Sequence, residues 1–139
     1  MYRALEIAKY NISKCTVEKH PISNLQLQKI LYYIQREFLK YGCEAFSDEI
    51  EAWQFGPVVP EVYRQYCGFG AMPITMTYCT DICDDYIKII NPIIEKKRDL
   101  NPWDMVEDTH MVGKAWDIVY QGGVGDHQII PKDLIQEKG

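Results

Sequence analysis

The chain has 139 residues, with 15 basic and 20 acidic side chains, a net charge of −5, 47% hydrophobic and 25% charged composition. Those values fit one ordinary folded domain that buries about two-thirds of its surface. No apolar run approaches the ~18 residues needed to cross a bilayer, and the acidic balance argues against a large nucleic-acid footprint, which clustered Lys and Arg would drive.

Residues 1–139 read as a single domain, because no repeat, low-complexity tract or Pro/Gly/Ser linker interrupts them. Residues 1–6 run straight into a helical pattern with neither a signal-type apolar region nor a small-residue cleavage site, so a cytoplasmic protein is expected. The five cysteines, Cys15, Cys43, Cys67, Cys79 and Cys83, are odd in number and scattered. That pattern suits buried thiols in a reducing compartment better than a disulfide framework, and no structural disulfide is expected.

Tyr2, Leu5, Ala8, Ile12 and Cys15 recur at spacings of three or four and predict a helix over residues 2–15. In Ser23-Asn24-Leu25-Gln26 the first and last side chains are spaced to form a capping box, which starts a second helix. Leu27, Ile30, Leu31, Ile34, Phe38 and Tyr41 continue it as one apolar stripe, and Gly42 ends it, giving a helix over 24–41. Residues 50–55 change period from 3.6 to 2 before Gly56-Pro57, which predicts a short strand ending in a turn. Pro60 suits the first position of a helix running to Cys67. Residues 69–85 form an irregular excursion with room for one short strand. Beyond Tyr86 the pattern is again helical, and Pro92 either kinks that helix or begins one with Asn91 as its cap. Lys96, Lys97 and Arg98 complement the helix's negative end. Asn101-Pro102 opens a helix to about Thr109, Gly113–Gln121 is a further helix, and Pro131–Glu137 a last one. The expected architecture is mainly α, a single compact helical domain of about six or seven helices with one or two short strands.

Several chemistries lack their signatures. Cys79 and Cys83 sit four apart without a second pair or a nearby His, so no metal is expected. Gly68-Phe69-Gly70 and Gly122-Gly123-Val124-Gly125 are not followed by the lysine motif of a phosphate-cradling loop, and no nucleotide cofactor is expected. Nothing local marks an activated thiol to pair with His110. The acids Asp48, Glu49, Glu51, Asp81, Asp84 and Asp85 read as solvated or helix-starting charges rather than acid/base pairs. Helix 24–41 carries Gln26, Gln28, Lys29, Gln35 and Arg36, types able to read base edges. The eight-residue connection Thr16–Ser23 is long for a helix-turn-helix, and together with the acidic balance it counts against DNA binding. The aromatic clusters Tyr32-Tyr33, Trp53-Gln54-Phe55 and Tyr63 with Tyr66 suit a protein interface as well as a core.

Three stretches resemble the motifs of one family. Ile22–Tyr33 is similar to an opening written (I/L)TNLKLQKLLYY, Phe46–Tyr63 to a centre built around AW.yGPVvPeVY, and Asp108-Thr109-His110 with Trp116 to a closing TH…W signature. Together they resemble the Panacea domain, also described as SocA-like or phage-associated GepA-like, over roughly residues 2–135. Ser23 stands where Thr is usual and Gln26 where Lys is common. The resemblance implies a helical, non-catalytic antitoxin-type domain of bacterial toxin–antitoxin pairs and prophages. Such a domain neutralises a cognate toxin, expected from the adjacent gene, by direct binding, and SocA-type members deliver the toxin to a ClpXP-type protease.

Residue by residue, the family pattern matches Leu27, Lys29, Leu31, Tyr32, Trp53, Gly56, Pro57, Val58, Pro60, Tyr63, His110 and Trp116. Leu27 and Leu31 belong to the apolar stripe. Gly56 and Pro57 are expected to fix the turn that aims Trp53 and Tyr63. Lys29, Tyr32, Trp53, Tyr63, His110 and Trp116 are the candidates for partner contact, and no catalytic residue is transferred. The alternative reading is a DNA-binding regulator of a phage or toxin–antitoxin operon using helix 24–41, and a third is a hydrolase or transferase built on His110.

Overall fold

The structure, a computed structural model, describes residues 1–139. In chain order it contains α1 (Ala4–Val17), α2 (Asn24–Lys40), β1 (Ile50–Trp53), β2 (Gly56–Val58), α3 (Pro60–Tyr66), α4 (Asp84–Lys97), α5 (Pro102–Thr109), α6 (Ala115–Tyr120), β3 (Gln128–Ile130) and α7 (Lys132–Lys138), with single 3₁₀ turns after α3 and α6. The architecture is mainly α, as the periodicity implies.

Helix α2 is the axis of the molecule, packed against α1, α3, α4, α5, α7 and β2. Its start is the expected capping box: Ser23 Oγ accepts from the Gln26 N–H at 3.3 Å and Gln26 Oε1 accepts from the Ser23 N–H at 2.9 Å. Leu27, Ile30, Leu31, Ile34 and Phe38 enter one core with Ile7 and Ile12 of α1, Ile90 and Ile94 of α4, and Ile130 and Ile135 near the C-terminus. Burial of such side chains contributes about 1.5–3 kcal/mol each.

The polar residues of α2 are used inside the protein. Gln35 is fully buried; its Nε2 donates to the Phe46 carbonyl at 2.9 Å and its Oε1 accepts from the Ala45 N–H at 2.8 Å. Gln28 accepts from the Val59 N–H at 3.0 Å and donates to Asn24, whose amide donates to the Tyr63 carbonyl at 3.2 Å. Two glutamines about two helical turns apart thus clamp both ends of the segment that carries the hairpin. Gln28, Lys29 and Gln35 are buried, so these three side chains are not free to read base edges.

The expected strand 50–55 is a hairpin. β1 and β2 are joined through Gln54-Phe55 with Trp53 opposite Gly56, and β3 adds to the other edge of β1 through Ile50 opposite Ile130, in the order β2-β1-β3. A three-residue strand has too few positions to show alternation, which is why β2 and β3 were invisible as patterns. Residues 70–83 hold no strand; Ile74 pins them through a single bridge to Ile22. Pro92 lies inside α4 rather than at its start, since the helix already begins at Asp84 after Cys83, and the Asn91 carboxamide accepts from the Tyr10 hydroxyl at 2.6 Å instead of capping. Cysteine burial is also corrected. Cys15 alone faces the core, whereas Cys43, Cys67, Cys79 and Cys83 fall on turns and on the excursion and are exposed. No helix is long and apolar enough to cross a membrane.

Candidate functional site

Where the hairpin meets the first half of α2 and α3, a depression of about 520 Å³ opens to solvent, lined by Trp53, Phe55, Tyr63 and His127 with Asn24, Gln28 and Lys29. Its rings are ordered against one another. Trp53 packs edge-on to Tyr63 at 5.0 Å between centroids and stacks on His127 at 4.2 Å, while Phe55 meets Trp103 at 5.5 Å. Phe55 and Trp103 are each about half exposed, so the rim continues as an aromatic surface.

The hairpin is held from behind. Trp116 Nε1 donates to the Trp53 carbonyl at 2.8 Å, and the Trp116 ring stacks between His110 at 3.6 Å and Tyr120 at 4.5 Å. The His110 pKa is lowered by burial and by the Lys29 charge, against the opposing Asp117. Beneath Gly56, the fully buried Lys29 donates to the Pro57 carbonyl at 3.3 Å and has no carboxylate within ion-pair distance. Burial alone pulls its pKa down to about 7. Gly56 has φ +115°, and a Cβ there would lie 2.7 Å from Lys29 Nζ and 3.0 Å from Thr109 Oγ1.

The six sequence candidates therefore divide. Trp53 and Tyr63 meet in the depression, and both reach solvent. Lys29 and Trp116 are buried supports behind the hairpin, with His110 half-buried on the Trp116 ring. Tyr32 is 3% exposed, packed beside Tyr33 in the core, and burial raises its phenol pKa to about 12. Lys29, Tyr32 and Trp116 are buried in the free chain, at 0%, 3% and 6% exposure, with Lys29 beneath the lining of the depression. Sequence reasoning missed His127, which reaches Trp53 because its own N–H donates to the Ala52 carbonyl at 2.7 Å beside β3. No local signal marks it. Phe55 belongs to the Trp53-Gln54-Phe55 cluster, but cluster membership alone does not single it out as a contact. No group of three His, Cys, Asp or Glu side chains is arranged to hold a metal.

Comparison with known proteins gives a consistent result. The model of the family described as "Antitoxin SocA-like, Panacea domain" matches residues 27–117. The chain is similar to Antitoxin SocA of Caulobacter vibrioides (strain NA1000 / CB15N), with 29% identity over 136 residues, covering 86% of this chain and 71% of that protein. No solved structure matches the chain.

Proposed function

We propose, from the premise that this chain belongs to the antitoxin SocA-like Panacea domain family, that it neutralises a cognate toxin by direct, non-catalytic binding through the Trp53–Tyr63 depression. The observation that carries the reading is the rigid aromatic rim: Trp53 is fixed by Tyr63, His127 and, through its carbonyl, Trp116. Large aromatic side chains already immobilised before binding lose little entropy at an interface and supply most of its affinity. The net charge of −5 accelerates encounter with a basic partner. The toxin is the product of the adjacent gene, the site of action is the cytoplasm, and the bound toxin is then handed to a ClpXP-type protease.

Co-expression with the adjacent gene tests this. The wild-type chain restores growth and copurifies with the toxin. Trp53→Ala and Tyr63→Ala each weaken the complex by about 2 kcal/mol or more while retaining the wild-type circular dichroism, and Val17→Ala, at an exposed position on α1, leaves it unchanged. Full neutralisation by both aromatic variants moves the contact surface elsewhere. Loss of toxin with the protease present, against simple occlusion in its absence, separates delivery from blocking.

A further inference from the structure

The other half of α2 faces a second feature, of opposite character. Between α2 and α4 runs an open groove of about 700 Å³, lined by Arg36, Lys40, Lys88, Lys96 and Lys97, with Glu37 the single acid among its lining residues. A third of the chain's 15 basic residues thus gather in one place on a protein of net charge −5. Phe38 packs on Tyr86 near the start of α4, and Lys97 lies over Tyr33, so the two helices run antiparallel and form two cationic rails. Lys88 and Lys96 are eight residues apart on α4, about 12 Å along its axis.

Most of the groove's cations have no close counter-ion, although Asp108 lies near enough to act on Arg36 and Lys97. Lys40 pairs with Glu37 at 3.3 Å, whereas Arg36, Lys88, Lys96 and Lys97 have no carboxylate within 4 Å. Elsewhere Arg3, Lys14, Arg98, Lys114 and Lys132 are paired and Lys9, Lys19, Lys29, Arg64 and Lys138 are not, but those unpaired cations are dispersed rather than gathered in one groove. The Arg36 guanidinium and the Lys97 ammonium both sit on the Tyr33 ring, 4.7 and 4.4 Å from its centroid, and that ring is locked by a 2.6 Å hydrogen bond from its hydroxyl to Asp108. Arg36 Nε is buried without an acceptor. The Lys97 pKa is lowered, first by burial and further by Lys96, Arg36 and Lys114 against Asp108. Like charges held in place by a shared ring and two helices, without close carboxylates, supply side-chain chemistry suited to an anion, in place of a glycine-rich loop.

We propose that this groove binds a small polyphosphate, a ligand carrying two or more linked phosphates, in either a nucleoside polyphosphate or inorganic form. Its short length is argued from charge: a polynucleotide extends past the groove onto the surface of an acidic protein, while a compact polyanion stays between the rails. Tyr41, 72% exposed at the end of the groove, offers a face on which a base can stack.

Calorimetric titration of the whole chain with sodium tripolyphosphate, and separately with ATP, at low and high salt tests the proposal. Both bind, more weakly as salt rises, and both raise the thermal midpoint by mass action. Equal affinities support recognition of the phosphates alone; tighter binding of ATP supports the base stacking as well. Lys88→Ser with Lys96→Ser, at two exposed positions, lowers the affinity about tenfold or more without lowering the midpoint of the free protein. Arg36→Met lowers it similarly, and Lys9→Met, outside the groove, does not. Absence of binding at millimolar ligand overturns the proposal, as does an unchanged affinity in the Lys88/Lys96 variant. Tighter binding of single-stranded DNA or of polyglutamate than of tripolyphosphate at the same salt overturns it in favour of a polymeric occupant.

Discussion

Lys29 Nζ occupies the space next to Gly56 so closely that a methyl group on that glycine would lie 2.7 Å from it. Gly56 also holds φ +115°, a region costly for any residue with a Cβ, so Gly56→Ala meets two independent penalties. We expect a loss of about 2–4 kcal/mol in urea denaturation. Adding Lys29→Ala removes the Lys29 contact but not the backbone strain or the approach to Thr109, so against a Lys29→Ala background Gly56→Ala still costs stability, though less than in the wild type. A Gly56→Ala chain as stable as wild type sinks the argument.

Lys29 itself is an uncompensated buried amine, and its pKa of about 7, lowered by burial from 10.5, gives stability a definite pH dependence. Between those values the unfolded chain holds a proton that the folded chain has released. Stability from this group therefore rises as pH increases from 7 towards 10.5 and is level outside that window. Lys29→Met removes the term and, as an apolar replacement of a buried charge, leaves the protein at least as stable near pH 7. Denaturation of both proteins across that window should find the variant's advantage shrinking by up to about 1.4 kcal/mol per pH unit. A constant difference between them overturns this reading of Lys29.

The helices that carry the fold were legible because each bears its own punctuation: Ser23 and Gln26 cap α2, Pro60 opens α3, and Asn101 Oδ1 accepts from the Trp103 N–H at 2.9 Å to cap α5. What was not legible depends on non-local pairing. β3 is a strand only because Ile130 meets Ile50 across 80 positions of sequence, and His127 joins the site only through that pairing. The site motif was visible, but not the division of labour within it. Lys29, Tyr32 and Trp116 look like contact residues in sequence because lysine, tyrosine and tryptophan are amphipathic, and tertiary burial decides which end of each is used.

Trp116 is the clearest case of a supporting residue. Trp116→Phe keeps an aromatic ring on His110 but removes the donor to the Trp53 carbonyl, leaving that acceptor without its partner. The expected cost is about 1–3 kcal/mol in stability, and on the proposed reading of the Trp53 depression it comes with weaker toxin binding than the stability loss alone explains, because Trp53 loses its anchor. Binding measured well below the melting transition separates the two effects. Unchanged binding at reduced stability confines Trp116 to the core.

Asp48 ties the N-terminus of α1 to the segment preceding the hairpin. Its Oδ1 accepts from the Ala4 N–H at 2.8 Å and from Arg3 Nε at 3.1 Å, and its side chain is 8% exposed. Burial by itself would raise the carboxyl pKa, but the Arg3 guanidinium and the Ala4 N–H outweigh it and hold the group below its ordinary 3.8. A depressed carboxylate contributes stability that is present above the unfolded pKa and is lost as pH falls through the folded one. Asp48→Asn keeps the shape and one acceptor while discarding the charge, and should cost about 1–2 kcal/mol at neutral pH. In thermal melts followed from neutrality into acid, the wild-type and variant midpoints should begin to converge below the unfolded carboxyl's pKa and meet once the pH is below the folded one. A gap that persists undiminished in acid would show that packing, not charge, is what Asp48 supplies.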